Sequence, residues 1–550
     1  MTESKTFAKT YARAASGLVR DFSQFDAALF NFLCVGQFTP AMPLMLLVWF
    51  GFMATGILEI TLAYLVAFVG ICFFCLTYAM LVASMPRTGG DYVYISRIIN
   101  PALGFVITTG STTIYFAAWM AWNGLLWSTV GLGTPALVLG KMMNSASLLA
   151  LSSWLMGSQG ILVISIASIL FPALTISFGM KTFARVQYVL FAGLTAAALT
   201  LLALLLGSSP LTFHNVFNNF MGPNTYENII AKGTQSGWQK VPFNVNDIVT
   251  FGMILMLGHL LWATFSAPVA GEIKGATKFK YSAAAMVLPA ALVSACMVVI
   301  IIAYYVTLTP QFLGPLSYLY VNGDPTVTNL PIPPYYSTLP QLLASGWGIV
   351  GVIALAIIIF GYACQVFYFN ATNILVPVKY LFANAFDGIL PQRLAYVNRR
   401  FHTPLVAIVV MIIGGLVWSV LSWLYPVLWN YVAAVIVANA LQFMVGCASG
   451  ALFPFRAKDT FEASPIAKYK VAGVPLIVIT GVLGVATLGY GLALYLTYPP
   501  LGMASVGALA YETVAAVFLF ALAIYIVAKL YWRRAKGIDL ALTFKEIPPE

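Results

Sequence analysis

Long apolar stretches, each able to form a helix of about 20 residues, follow one another along almost the whole chain. A helix of that length crosses the hydrocarbon core of a bilayer. Because backbone groups in hydrocarbon must bond within the protein, only helices or a closed barrel can span it. Only 8% of the residues are charged, against about 25% in soluble domains. We therefore predict an all-α membrane protein.

Twelve of these stretches qualify as transmembrane helices, and we number them spans 1 to 12 in chain order. They lie near residues 26–50, 57–84, 101–129, 159–179, 184–208, 247–271, 282–307, 346–377, 404–424, 427–452, 473–496 and 508–531. Residues 133–157 compete for a thirteenth span. Their Gly and Pro residues, with Lys141 and Asn144, favour a helix at the external interface instead.

The placement of charge supports twelve spans with both termini in the cytoplasm. In this topology all but three of the 27 lysines and arginines lie on the inner side, as the positive-inside rule requires. The exceptions are Lys141, Lys232 and Lys240. A thirteenth span would invert every later loop and remove the agreement. The net charge of +11 therefore reflects topology and attraction to anionic lipid, and no nucleic-acid partner is expected.

Spans 6 and 1 both contain polar and helix-breaking residues at membrane depth. Span 6 includes His259, Thr264, Ser266 and Pro268, and span 1 is interrupted at Gly36–Pro40. In transporters, interruptions of this kind mark helices whose backbone holds a ligand, although ordinary kinks are the simpler alternative. The two breaks are five spans apart. Because five is odd, the second copy would run inverted, which predicts a five-plus-five inverted repeat.

This repeat divides the chain into a cytoplasmic segment, two repeats separated by a loop, a pair of accessory helices and a tail. The boundaries are 1–25 for the cytoplasmic N-terminal segment, 26–208 for the first repeat, 209–246 for an extracellular loop, 247–452 for the second repeat, 473–531 for accessory helices 11 and 12, and 532–550 for the cytoplasmic tail.

Two broken helices that meet can bind a charged ligand without charged side chains. A helix that ends at a break points carbonyls at a cation, and one that begins there points N–H groups at an anion. Such a site suits a small ligand that carries both a positive and a negative group. We predict that the two breaks, with side chains of spans 3 and 8, bind the substrate through Gly36, Gln37, Phe38, Thr39, Tyr115, Trp119, His259, Trp262, Ala263, Thr264, Ser266 and Gln365.

His259 has two interpretations, since it is the one histidine within a span. It is either a coupling residue that binds a proton during transport, or a neutral side chain bonded to a neighbouring helix. The aromatic residues of spans 3 and 6 are equally open, because packing explains a membrane aromatic as readily as substrate contact does.

Three inner-loop motifs resemble those of one transporter family. Residues 86–94 match the pattern Pro-x-Ser/Thr-Gly-Gly-x-Tyr-x-Tyr, and residues 271–276 are similar to Glu-Val-Lys-Asn-Pro with its preceding Gly. Residues 387–404 resemble Asp-Gly-x-Leu-Pro followed by Asn-x-Arg-x-Thr-Pro. Together they resemble the amino acid–polyamine–organocation (APC) superfamily, amino acid permease type. The resemblance implies a leucine-transporter-type fold with two accessory helices, amino acid or amine substrates, and alternating access.

Two departures from that family affect the expected coupling. The Gly-x-Gly of its first helix is replaced here by Gln37-Phe38-Thr39, and the lysine of its proton-coupled branch falls at Gly193 or Leu194. Span 8 lacks a central pair of hydroxyl residues for a sodium site. A coupling proton, a coupling sodium ion and ion-free exchange all stay open.

Acidic residues avoid the interior of the spans, which favours neutral amino acids over cationic ones. Asp26 and Glu272 lie at span ends near Arg87. We predict that these three residues contribute to a gate, with solvated loop charges as the alternative.

The sequence therefore predicts a secondary active transporter of amino acids in the plasma membrane. The alternatives are an amine, polyamine or cationic amino acid antiporter of the same fold, and a membrane sensor that binds an amino acid without moving it. We expect no enzyme activity, no cofactor and no metal. The expected partners are a small amino acid substrate and the lipid bilayer, with the chain acting as a monomer or homodimer.

Overall fold

The computed structural model describes residues 17–35, 56–240, 244–335, 337–497, 508–537 and 539–544. A helix lies at each of the twelve predicted spans, and we label these helices α1 to α12. Their bounds are Gln24–Val35, Ile57–Ser84, Ser111–Leu126, Ser158–Ser177, Met180–Leu206, Val245–Gly258, Phe279–Leu308, Gly348–Phe386, Leu405–Leu424, Ala433–Arg456, Leu476–Thr497 and Ala508–Tyr531.

Nine helices in the described ranges are long and apolar enough to cross a membrane. The three other predicted spans are interrupted or described only in part. The description of α1 stops at Val35, α3 lies in a helical run that becomes π-helical at Phe105–Gly110 and Trp127–Gly133, and α6 ends at Gly258. The prediction of an all-α multi-pass membrane protein is confirmed. The count of twelve spans and the inverted repeat stay predictions.

Short helices and turns make up the connections. They are helices at Gly90–Ile98, Pro101–Gly104, Thr134–Met142, Ala146–Met156, Pro210–Met221, Thr225–Gln235, Pro310–Val321, Pro325–Thr328, Leu339–Leu343, Lys458–Glu462 and Leu540–Thr543, 3-10 segments at Leu260–Trp262, Ala270–Glu272, Ala344–Trp347, Gln392–Ala395 and Pro426–Val432, and a π-helical segment at Trp532–Lys536. Two strands, Lys470–Val471 and Val474–Pro475, pair in an antiparallel hairpin.

The stretch 133–157 forms two helices where the sequence predicted one external helix. Thr134–Met142 continues the helical run of α3, and Ala146–Met156 folds back against it. Asn144 makes the turn with a φ of +47°, a left-handed conformation that asparagine tolerates. The side chain of Ser145 then accepts a hydrogen bond from the backbone of Leu148 and caps the second helix.

The two long loops that precede α6 and α8 pack against each other through aromatic rings. Tyr226 stacks on Phe312 with ring centroids 4.4 Å apart, and Phe213 and Phe217 lie around the same ring. Ring pairs of this kind add to the free energy of simple apolar burial. The loops therefore form one packed unit rather than two independent lids.

Buried amides hold α3, α4 and α8 together in the middle of the bundle. The side chain of Asn123 donates to the side-chain oxygen of Asn370 at 2.9 Å, and Asn370 donates to the carbonyl of Ser168 at 2.9 Å. Helix pairs in membranes associate through such bonds and through small residues. Against this scaffold, α8 also packs closely on α5, where Gly361 meets Ala197.

Candidate functional site

The backbone after α6 is interrupted where the sequence predicts a break. The helix ends at Gly258, and from there to Ile273 the hydrogen bonds join residues three apart instead of four. Examples are Ala267 N–H to the carbonyl of Thr264 at 2.8 Å and Glu272 N–H to that of Val269 at 2.9 Å. We call residues 259–272 the break segment. The predicted partner in span 1, Gly36–Pro40 with Gln37, Phe38 and Thr39, lies outside the described residues.

The break segment lies wholly inside the protein. Its polar side chains His259, Thr264 and Ser266 are each no more than 2% exposed, although the segment lacks regular helical bonding. The last carbonyls of α6 have no partner further along their own helix and carry its partial negative charge. A ligand bearing an ammonium group can bind there without an acidic side chain.

Asn31 fastens the break segment to the first helix. Its side-chain oxygen accepts from the backbone N–H of Ser266 at 2.8 Å, and its amide donates to the hydroxyl of Ser266 and to the carbonyl of Ala285, both at 2.8 Å. One fully buried side chain thus joins α1, the break segment and α7. Ser266, predicted to contact the substrate, is held by Asn31, which the sequence analysis missed.

Aromatic residues of α3 lie directly against the break segment. The rings of Trp119 and Trp262 are 5.0 Å apart at 65°, and those of Phe116 and Phe265 are 5.8 Å apart. Tyr115, one helical turn before Trp119, is also buried. The structure therefore brings together the predicted residues of spans 3 and 6.

Several buried polar atoms around the break segment have no hydrogen-bond partner within the described ranges. They are the hydroxyls of Tyr115 and Thr264, the indole nitrogen of Trp262 and the Nε2 atom of His259. Buried polar groups in proteins almost always have a partner, be it protein, water or ligand. Four such groups on two adjoining elements indicate a place where a polar ligand can bind.

His259 contacts a neighbouring helix through its other ring nitrogen. The hydroxyl of Tyr64 on α2 lies 3.2 Å from Nδ1, and the two rings meet edge to face at 5.9 Å. This contact is the neighbouring-helix bond of the structural interpretation, and the ring also interacts with the backbone of Val35 on α1. Ala263, predicted beside it, is fully buried.

Gln365 lies on α8 and is 2% exposed. Tyr368, three residues further along this helix, donates its hydroxyl to the carbonyl of Phe30 on α1 at 2.8 Å. Contact of Gln365 with the substrate stays a prediction.

The glycine pair of residues 86–94, Gly89 and Gly90, fits between the break segment and α8. The N–H of Gly89 donates to the carbonyl of Pro268 at 2.8 Å, and a side chain at Gly90 would meet the oxygen of Ala267 at 2.5 Å. Gly89 also has a φ of +91° and touches Ala383. Only glycine combines this left-handed backbone with so close an approach. The motif therefore serves to dock its loop on the break segment.

A second backbone contact ties the start of α1 to the end of the break segment. The N–H of Phe22 donates to the carbonyl of Glu272 at 3.0 Å, and the N–H of Lys274 donates to the carbonyl of Phe22 at 2.8 Å. The side chain of Gln24 adds a bond to the carbonyl of Lys274 at 2.9 Å. The three motif loops and these residues lie together, and we call residues 17–26, 85–100, 272–278 and 379–404 the motif end.

Two ion pairs are buried in the motif end. Lys379 lies 2.5 Å from Glu272, with both side chains 1% exposed. Arg97 lies 2.6 Å from Asp387, which also accepts from the hydroxyl of Tyr92 at 2.7 Å. Each pair joins one motif loop to another part of the molecule, so the motifs form a connected network.

The sequence did not predict these two ion pairs, because Lys379 and Arg97 were interpreted as cations of solvated loops. A lysine inside the apolar run 374–386 was the available indication that Lys379 is buried. Of the predicted gating residues, Glu272 is paired with Lys379, whereas Asp26 bonds to α5 through the hydroxyl of Tyr188 at 2.5 Å. Arg87 donates to the carbonyl of Pro86.

The absence of a lysine at position 193, in the middle of α5, has a packing reason. A side chain at Gly193 would meet the sulfur of Cys364 at 2.6 Å and the ring of Phe360 at 2.8 Å. Neither neighbour leaves room for a long side chain without moving α8. A lysine at Gly193 is therefore incompatible with this packing.

A family model described as "Amino acid permease" matches residues 38–522. The matched region includes the break segment, all three motif loops and most of the helical bundle. No protein among the curated sequences matches the chain.

Proposed function

The chain belongs to the amino acid permease family, and we propose that it is a secondary active transporter that moves neutral amino acids across the plasma membrane by alternating access. Membership of this family makes it an amino acid transport protein of the membrane rather than an enzyme. The observation that carries the finer proposal is the buried break segment, with its ring of polar atoms that lack partners.

An α-amino acid matches the groups that surround the break segment. Its ammonium group needs acceptors, and the terminal carbonyls of α6 carry partial negative charge. Its carboxylate needs donors, and the hydroxyl of Thr264, the indole N–H of Trp262 and His259 can donate. Hydrogen bonds between these groups and the ligand would leave no polar group of either one without a partner, as a specific site requires.

Neutral substrates are favoured because residues 259–271 carry no ionised side chain. A second cationic group on the ligand would be buried without a counter-charge, at a cost of several kcal/mol. The surrounding surface is aromatic, with Trp119, Trp262, Phe116 and Phe265 in mutual contact. Such a surface suits an apolar or aromatic substrate side chain.

We place the motif end at the cytoplasmic side, and we assign it the role of the inner gate. The buried pair Lys379–Glu272 links α8 to the end of the break segment. Opening this side would separate or hydrate the pair. The gate thus closes by an ion pair that is intact in the described arrangement, with Asp26 and Arg87 as further proposed members.

Uptake into proteoliposomes is the deciding experiment. The full chain is reconstituted, and uptake of labelled alanine, leucine, phenylalanine, lysine and putrescine is measured under no gradient, a sodium gradient and a proton gradient. We expect uptake of one or more of the neutral amino acids. Flux of putrescine or lysine alone would establish the antiporter alternative. Binding without flux under every gradient would establish the sensor alternative and overturn transport.

A matched pair of threonine variants tests the site. Thr264→Val removes a hydroxyl from the break segment at constant shape, and we expect the apparent affinity to fall about fivefold for a loss of about 1 kcal/mol. Thr195→Val is the control, because its hydroxyl on α5 is also without a partner within the described ranges. Equal effects of the two changes would argue against substrate contact at Thr264.

A further inference from the structure

Asp91, in the motif of residues 86–94, is a buried acid that belongs to neither ion pair. Its side chain is 1% exposed. One carboxylate oxygen accepts from the hydroxyl of Tyr380 at 2.8 Å and from the side-chain amide of Gln442. The other oxygen has no hydrogen-bond partner within the described ranges. A carboxylate in this position is stabilised by neutral donors alone.

The groups that face Asp91 from the surrounding helices are neutral. The side chains of Tyr78 on α2, Tyr380 on α8 and Cys447 on α10 interact electrostatically with Asp91. All three are uncharged at physiological pH. Gln442, which donates to the carboxylate, is itself bonded through its oxygen to the hydroxyl of Thr112 at 2.8 Å.

The cations on the same elements are directed elsewhere. On α8, Lys379 pairs with Glu272, and on the short helix Gly90–Ile98, Arg97 pairs with Asp387. Arg456 at the end of α10 donates to the carbonyl of Ile99 at 3.5 Å. The segment Pro101–Gly110, which packs against the same helix, has no charged residue. Burial without a counter-charge raises the pKa of Asp91 to about 6.

Asp91 also lies next to the moving parts of the proposed transport cycle. The preceding residue, Gly90, packs against Ala267 and Pro268 of the break segment. The two side chains that donate to the Asp91 carboxylate, Tyr380 and Gln442, lie on α8 and α10. A change in the charge of one carboxyl group therefore acts on the contact between the break segment and two other helices.

We propose that Asp91 is the proton-binding site that couples a proton gradient to transport, an inference that rests on the proposed transport function. The carboxylate takes a proton from water on one side of the membrane and returns it to water on the other. In the neutral form it loses the charge-assisted part of its bonds to Tyr380 and Gln442. The helices that carry these donors are then held less tightly to the loop that docks on the break segment.

A spectroscopic experiment tests protonation without requiring transport. Infrared difference spectra of the full chain in lipid are recorded as the pH is lowered from about 8 to about 5, which brackets the pKa of a buried carboxyl group. We expect a carbonyl band of a neutral carboxyl group in the wild type and its loss in Asp91→Asn. Asp324→Asn, at a solvent-facing cap of a short helix, is the control and should keep the band.

Tyr380→Phe provides a second variant that retains the acid. Loss of one donor to the carboxylate destabilises the charged form, so we expect the midpoint of the band to move to higher pH. A wild-type band that is absent, or that persists unchanged in Asp91→Asn, would overturn the assignment. An unmoved midpoint in Tyr380→Phe would also contradict it.

Transport separates failure of this inference from failure of the proposed function. At one proton per substrate, a gradient of one pH unit supports about tenfold accumulation. With labelled leucine, alanine and phenylalanine as probes, we expect Asp91→Asn to lose this accumulation and to keep exchange of internal for external substrate. Accumulation retained in Asp91→Asn would refute proton coupling at this site. No flux in the wild type would refute transport, while the infrared result would still decide whether Asp91 binds a proton.

Discussion

The middle of the bundle and its motif end treat buried polarity in opposite ways. In the middle, residues 259–271 of the break segment have neutral polar groups, several without partners within the described ranges. At the motif end, the acids Glu272 and Asp387 are matched by Lys379 and Arg97 at 2.5 and 2.6 Å. Asp91 lies in the motif end but has neutral donors around it, as the polar groups of the middle do.

The difference assigns separate tasks to the two regions. A region of unmatched neutral groups becomes fully bonded only when a ligand supplies the missing partners. A matched pair of buried charges needs no ligand and resists opening, because separating the pair exposes an uncompensated charge. In the proposed function, binding and gating are thus distributed over adjoining segments of one chain, which meet at Glu272.

The largest loss of stability is expected when a buried charge at the motif end is left without its partner. In Lys379→Met, the carboxylate of Glu272 stays buried without its cation, and we expect a loss of about 3–5 kcal/mol of stability. Thermal unfolding of the detergent-solubilised protein measures it. The double variant Lys379→Met/Glu272→Gln should recover most of the loss. A single variant as stable as the wild type would show that the pair is not buried as described.

Removing the polar contacts of Asn31 with the break segment should have the next largest effect. Asn31→Leu leaves the N–H and hydroxyl of Ser266 without their partner, and we expect a loss of about 1–3 kcal/mol. The same thermal measurement applies, together with the apparent affinity for substrate. Asn228→Leu, at an exposed position of the helix Thr225–Gln235, is the control. Equal melting temperatures for both variants would contradict the role of Asn31.

The contact between the two regions can be strained without changing any polar group. Gly90→Ala places a methyl group against the oxygen of Ala267, and we expect about 1–3 kcal/mol of destabilisation from overpacking and slower transport. Gly323→Ala is the control, because it measures the cost of placing alanine at a positive φ without a steric clash. Gly323 has a φ of +68° and no atom within 4 Å of the added carbon. A Gly90 variant no worse than the Gly323 variant would remove the close-fit explanation.

An exposed charge pair should contribute least to stability, and it is the reference with which the buried pairs are compared. His214 and Glu227 lie 2.5 Å apart in the loop before α6, with side chains 30% and 49% exposed. The hydrogen bond raises the pKa of His214 and lowers that of Glu227 to about 2. In water such a pair contributes under about 1 kcal/mol.

The sign of the pH dependence follows from both shifts. The contribution of Glu227 is present above its ordinary pKa of 4.5 and is lost as the pH falls toward about 2. That of His214 is present below its ordinary pKa of 6.5 and is lost as the pH rises through its raised value. Glu227→Gln should therefore lower the melting temperature most between pH 4.5 and 6.5. A difference that grows above this window would contradict the assignment.

Local pattern was sufficient for much of the fold. The predicted bounds of span 2, 57–84, and of span 12, 508–531, coincide with α2 and α12, because charge or Gly stops the apolar run at each end. The break after Gly258 was also predictable, since Pro and hydroxyl residues conflict with an apolar helix. Residues 134–142 were not assigned to span 3, because their Gly, Pro and Lys content indicated an interface and not a continuing helix.

The parts of the site that sequence did not predict depend on partners far along the chain. Nothing local distinguishes Asn31 from other asparagines, and its role follows from Ser266 being brought beside it by the fold. Lys379 and Arg97 counted as topology signals, although each is buried against an acid. Asp91 fell at a variable position of the motif, where the neighbours that make it unusual come from α8 and α10.

The backbone bridge between Phe22 and the residues around Ile273 has a consequence for how this site tolerates mutation. The side chain of Lys274 is exposed. Its backbone N–H is the group that takes part in the bridge, by donating to the carbonyl of Phe22. Every residue except proline has that N–H. Homologues should therefore have many different side chains at this position, but not proline. The constraint would be visible as the absence of proline and not as a shared residue.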